Sequence, residues 1–120
     1  MAALVIRLTR RVDFQRLTRK GARRAMPSVV LQAMIRPNAD SDVCRLGFTV
    51  SKKVGGAVQR NRAKRRLRAA ATEILQNLNP GRDIVLVGRK ATLTRPWDAL
   101  LADVRQASLE LGVLPGEAGR

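Results

Sequence analysis

Six of the nine residues from Arg60 to Arg68 are cationic, and no acid occurs between Val43 and Thr72. A run this charged cannot be buried without partners, yet apolar residues are threaded through it at regular intervals. At about 100° per residue, Ala63, Leu67, Ala70, Ile74 and Leu78 fall on one stripe, while Asn61, Arg62, Lys64, Arg65, Arg66 and Arg68 fan around the rest. The segment from Ala57 to about Leu78 therefore reads as an amphipathic helix, opened after Gly55-Gly56 and closed by Asn79-Pro80-Gly81. No Glu or Asp at i+4 relieves the repulsion among its cations, so an external polyanion is the natural counterpart.

The rest of the chain carries the same bias. Its 120 residues hold 24 Lys plus Arg against 9 Asp plus Glu, a formal net charge of +15. Residues 1–72 hold 18 basic and 3 acidic side chains, whereas residues 73–120 hold 6 of each, so the excess is segregated rather than spread for solubility. Arginine dominates, and its planar fork matches phosphate and stacks on bases, which favours nucleic acid over an anionic membrane. The early apolar run Ala2 to Ile6 is too short for a signal segment or a spanning helix, which points to a cytoplasmic protein with no membrane partner. A lone Cys44 and the absence of His exclude a disulfide framework and argue against a zinc site.

The pattern predicts one α+β domain over 1–120, ordered over about 7–112 with a frayed tail at 113–120. Arg11 to Lys20 reads as a helix with Val12, Phe14 and Leu17 inward, stopped by Gly21 in a position that tolerates a left-handed backbone. A short strand is expected at Ala22 to Arg24. The β-rich runs Ser28 to Ile35 and Val43 to Ser51, separated by a turn-forming stretch from Arg36 to Asp42, read as a hairpin. Ile84 to Gly88 has the apolar character of a mid-sheet strand. A last helix starts near Pro96, with Trp97, Leu100, Leu101, Val104 and Leu111 on one face and Gly112 closing it.

Catalytic groups are scarce. There is no His, the pair Asp40 and Asp42 falls in the predicted turn, and Ser51 beside Lys52 means little without geometry. No catalytic residue, metal ligand or small-molecule ligand is assigned to the protein. The Gly55-Gly56 loop before the long helix fits close approach of a phosphate, but equally a tight strand-to-helix connection. The basic face is the stronger signal.

Arg60-Asn61-Arg62-x-Lys64-Arg65-x-x-Arg68, preceded by Val50-Ser51-Lys52-Lys53-Val54-Gly55, resembles the hallmark of the bacterial ribonuclease P protein family. The likeness extends to Asp13-Phe14 with Gly21 and to Asp83-Ile84-Val85-Leu86-Val87-Gly88-Arg89-Lys90, covering about residues 7 to 112. The resemblance implies an αβββαβα sandwich, its sheet covered by helices, with a left-handed βαβ crossover. It implies a protein subunit that assists a catalytic RNA in removing the 5′ leader of precursor tRNA, with magnesium held through the RNA. RNA contacts would come from Lys52, Lys53, Arg60, Asn61, Arg62, Lys64, Arg65, Arg66, Arg68 and Lys90. A cleft containing Phe14, Thr18 and Gln32 would hold the leader. The family commonly has aromatics at the positions of Thr18 and Gln32, and an acid and an aromatic where Ala69 to Ala71 stand. The rival readings, a ribosomal or ribosome-assembly RNA-binding protein and an architectural DNA-binding protein, share the charge but lack this signature.

Overall fold

The structure, a computed structural model, describes residues 5–36 and 43–116. Five strands, β1 (Val5–Arg7), β2 (Ala22–Ala25), β3 (Val29–Ile35), β4 (Cys44–Val50) and β5 (Arg82–Gly88), form one sheet in the order β1-β4-β5-β3-β2. Three helices accompany it: α1 (Arg11–Lys20), α2 (Ala57–Ile74) and α3 (Trp97–Glu110). Short 3₁₀ turns, Lys52–Val54 and Lys90–Thr92, follow β4 and β5.

The most buried strand takes the centre. Ile84, Val85 and Leu86 of β5 are buried, flanked by β3 antiparallel on one side and β4 parallel on the other. This overturns the predicted hairpin: β3 and β4 are separated by β5 and do not pair. Alternation identifies a strand's faces but says nothing about its neighbours, and a later, more apolar segment displaced the sequential pairing. The connecting turn, with Asp40 and Asp42, lies outside the described residues. A second addition to the expected order is β1, a three-residue parallel edge beside β4.

Alternation then builds two cores. Val29, Leu31, Ala33, Cys44, Ile84 and Leu86 meet α2 and α3 on one face of the sheet. Leu8, Leu17 and Val85, with Phe14, Met34 and Val87, form a smaller core under α1 on the other. The stripe foreseen for α2 is buried at Ala63, Leu67, Ala70 and Ile74, joined by Ala71. The helix ends at Ile74, before the expected Leu78: Leu75 leaves helical geometry and Asn77 then takes a left-handed conformation, while Leu75 and Leu78 still reach the core. At the other terminus, Val113 and Leu114 are buried and Asn79 donates from its backbone N–H to the Val113 carbonyl and from Nδ2 to that of Gly112. Packing thus continues past residue 112 into the stretch expected to fray.

In α1 the inward set differs from the pattern: Val12 is 44% exposed, whereas Asp13 is buried beside Leu17. Gly21 is not left-handed either, at φ −78°; a Cβ there would lie 2.7 Å from the Leu17 carbonyl oxygen, so close packing, not backbone freedom, demands glycine. Asp13 is turned inward by an arginine. The parallel register sets Arg45 of β4 opposite Asp83 of β5, and Nη2 donates to Asp83 Oδ2 at 2.6 Å while Nη1 reaches Asp13 Oδ2 at 3.1 Å. Arg36 adds a contact to Asp83 at 3.0 Å and Arg16 one to Asp13 at 3.4 Å. Asp83, 1% exposed, is fully committed to these guanidinium groups. Its hydrogen bond, and the field of both carboxylates, raise the Arg45 pKa above the ordinary arginine value despite the opposing cost of burial. A raised folded-state value means this stabilisation is complete throughout the neutral range and fades only as strongly alkaline pH strips the guanidinium.

Arg45→Ala is expected to destabilise the fold by about 3 kcal/mol, the low end for breaking a buried pair, because Arg36 and Arg16 still contact the abandoned carboxylates. Denaturant unfolding of the free protein, with a shifted midpoint and unchanged slope, measures it.

Candidate nucleic-acid interface

Arginines that the sequence presents as equivalent have different roles once α2 is folded. Arg62, Arg65 and Arg68 are exposed and Lys64 is half-buried, and among the described residues none of the four forms an ion pair. Arg68 lies over the Phe48 ring at 5.9 Å. Asn61 is exposed in the first turn of the helix, and Arg60 is partly buried, its Nε without a hydrogen-bond partner. Arg66 is engaged within the fold. Its guanidinium donates to the carbonyl oxygens of Thr92 at 2.8 Å, Leu93 at 3.0 Å and Arg95 at 2.6 Å, and sits over Trp97. Arg66 was expected to grip RNA; the geometry makes it the clasp that fastens the 92–95 segment to α2.

That segment is held from other directions too. Thr92 Oγ1 donates to the Ser28 carbonyl and accepts from the Arg89 N–H, while Ser28 Oγ donates to Asp103 Oδ2 at 2.6 Å. Arg95 Nε donates to the same Asp103 oxygen at 3.1 Å. The turn carrying Arg89 and Lys90 is therefore rigidly placed next to the end of β5.

On the opposite face of the sheet α1 covers only part of the surface. Phe14 packs against Gly47, where an added Cβ would come within 2.7 Å of its ring. Beyond the reach of α1, an open cavity of about 890 Å³ is lined by Arg23, Val30, Ser51, Lys53, Arg89 and Lys90, with no acid among its lining residues. It sits off the carboxyl ends of β4 and β5, where parallel strands usually present ligand sites. Register sets Gln32 directly opposite Arg23 on this face. Thr18 is exposed on α1, one turn from Phe14, and its hydroxyl donates to the Phe14 carbonyl. Lys53 and Lys90 are thus brought together, Lys52 is exposed just outside, and the three residues expected to form the cleft lie along α1 and β3 beside the cavity, none of them lining it.

Arg23 and Arg89 escaped the sequence reading. A two-residue basic stretch in β2 has no periodic signal, and only the pairing of β2 with β3 gives Arg23 a face. Trp97, expected inward on α3, is instead 37% exposed. Among the described residues no helix is long and apolar enough to cross a membrane, and no cluster of His, Cys, Asp and Glu is arranged to hold a metal ion.

Comparison with known proteins follows this geometry. The family profile described as Ribonuclease P matches residues 5–112. A "Ribonuclease P protein component" of Paramagnetospirillum magneticum is 44% identical over 117 residues, covering 95% of this chain and 88% of that protein. One of Gluconacetobacter diazotrophicus is 43% identical over 119 residues, covering 98% and 100%. Among solved structures, the Staphylococcus aureus RNase P protein superposes with a TM-score of 0.73 at 26% identity, covering 91% of this chain and 97% of that one. The Thermotoga maritima RNase P protein shares the fold, with a TM-score of 0.69 at 24% identity over 92% and 98%.

The division of labour on α2 is measurable without RNA. Arg66→Ala should cost about 2 kcal/mol of stability, as expected for lost charge-assisted hydrogen bonds, whereas Arg65→Ala should stay within about 0.5 kcal/mol. Thermal or denaturant unfolding of the two free variants compares them.

Proposed function

The chain belongs to the ribonuclease P protein family and is the protein component of that tRNA 5′-processing endoribonuclease; from this premise we propose how its surfaces divide the task. The chain acts as one RNA-binding domain. The outer face of α2, with Asn61, Arg62, Lys64, Arg65 and Arg68, docks on the catalytic RNA. The 5′ leader of precursor tRNA crosses the other face of the sheet, past Phe14, Thr18 and Gln32, into the cavity where Arg23, Lys53, Arg89 and Lys90 meet its phosphates. Lys52 extends this cationic track toward the start of α2, where Gly56 leaves the helix without a side-chain cap. Arg60 supports the same end of the helix.

The observation that carries this reading is that, among the described residues, the outward cations of α2 have no acid partner. Six cations held on two and a half turns repel one another, and phosphate binding removes that repulsion while releasing counterions from the RNA. Chemistry belongs to the RNA in this proposal. Among the described residues no cluster of His, Cys, Asp and Glu is arranged to hold a metal ion; in this proposal magnesium is held through the RNA. What the protein contributes is position: a rigid cationic surface that lowers the repulsion between catalytic RNA and substrate and holds the leader on one course. The work is that of a cytoplasmic protein.

Purified protein mixed with ribonuclease P RNA should remove the leader from precursor tRNA at a magnesium concentration where RNA alone is slow, and the protein by itself should leave the precursor intact. In the same assay Arg65→Ala should weaken RNA binding and flatten the plot of log affinity against log salt by about one unit; an unaltered slope would remove Arg65 from the phosphate contacts.

Because Thr18 and Gln32 cannot stack on bases, the leader is held by charge and hydrogen bonds. Comparing precursors with long and short leaders over a salt series should give a leader contribution that falls steeply with salt and depends little on leader sequence. A salt-insensitive contribution would contradict it.

A further inference from the structure

We propose that Trp97 and the Arg62–Arg65 edge of α2 form a stacking site for a single unpaired base of the partner RNA, a proposal that rests on the ribonuclease P reading above. Arg62, Arg65, Arg66 and Ala69 follow one another at helical spacing along α2, and with Trp97 they line a shallow cavity of about 360 Å³. Each part has a distinct role. Ala69, at the lower end of the stripe, has no bulk to fill the space beside the ring. Arg66, immobilised on three carbonyls, lies over the indole with its guanidinium carbon 5.8 Å from the ring centroid, and so fixes the indole's orientation. Arg62 and Arg65 are exposed and form no ion pair among the described residues, ready for the phosphates on either side of a stacked nucleotide.

The placement of Trp97 argues against simple packing. Leu100 and Val104 of the same helix are completely buried, whereas the indole, at the first residue of α3, turns toward the cationic stripe and stays 37% exposed. The chain contains no Tyr and only one Trp. Its largest aromatic surface is thus spent on the basic face, and not in either core. Asp98, in the first turn of α3, accepts a hydrogen bond from the backbone N–H of Ala99 at 3.0 Å. A planar base fits such a site because every base has a stacking face, so the contact selects an unpaired nucleotide without selecting its identity.

With one Trp and no Tyr, the intrinsic emission of the protein reports on this position alone. Titrating the full-length protein with ribonuclease P RNA should quench that emission and shield it from acrylamide. Trp97→Ala should lower affinity for the RNA about tenfold, and Trp97→Phe should recover most of the loss, whereas Trp97→Leu, which keeps apolar bulk without a ring able to stack, should not. Tight binding with unchanged emission and acrylamide access, or full affinity in Trp97→Leu, would overturn the stacking site while leaving the ribonuclease P assignment intact. Failure of the wild-type protein to bind the RNA at all would overturn the assignment and this site with it. Emission of the wild-type protein decides the matter even where a substitution impairs folding.

Discussion

Arg45 holds the two halves of the molecule together. Its guanidinium joins Asp83, directly across the parallel β4–β5 register, to Asp13 on α1, so one side chain sets where the helix lies on the sheet. The position of α1 decides how much of that face stays open. With Asp13 drawn inward, Phe14 comes to rest on Gly47, and the uncovered remainder becomes the cavity bordered by Arg23, Lys53, Arg89 and Lys90. A buried ion pair adds little net stability over an apolar contact of the same shape, but it penalises every alternative arrangement that strands a charge. Its role here is to make one docking of α1 the acceptable one.

The same arrangement governs the electrostatics of the surface. Asp13, Asp83 and Asp103, all buried, are engaged by arginines that belong to the scaffold: Arg16, Arg36, Arg45 and Arg95. A third of the chain's nine acids is thereby withdrawn from the exterior, while among the described residues the outward cations of α2 have no carboxylate partner. Arginine thus has two tasks in this fold, bonding inward to buried acids or backbone carbonyls of the scaffold and, in the proposed reading, presenting charge to an RNA. Arg66 belongs to the first kind, although it stands in the middle of a motif of the second.

How much of this could be read from the sequence depended on whether a residue's role is local. The extent of α1, the apolar stripe of α2 and the central place of β5 follow from periodicity and hydropathy, which act within a few turns or along one strand. The pairing of β3 with β5, the burial of Asp13 and the inward bond network of Arg66 each depend on segments distant in sequence, and no local pattern encodes them. Leu78 shows the intermediate case: its burial was legible, but the end of the helix at Ile74 was not, since the apolar spacing continues through it. For the interface, the motif located the helix and the charge gave its partner class. Arg23, Arg89 and the outward face of Trp97 needed the sheet and the 3₁₀ turn to bring them into view.

The outer strands of the sheet have a bearing on self-association. β2 is a four-residue edge whose middle positions are Arg23 and Arg24, and β1 closes the other side with only three residues. An antiparallel meeting of two β2 edges would bring like charges face to face, and β1 is too brief to template a partner. The free chain, carrying an apolar central strand, is thereby discouraged from aggregating by an edge that includes Arg23, one of the arginines on the proposed leader path.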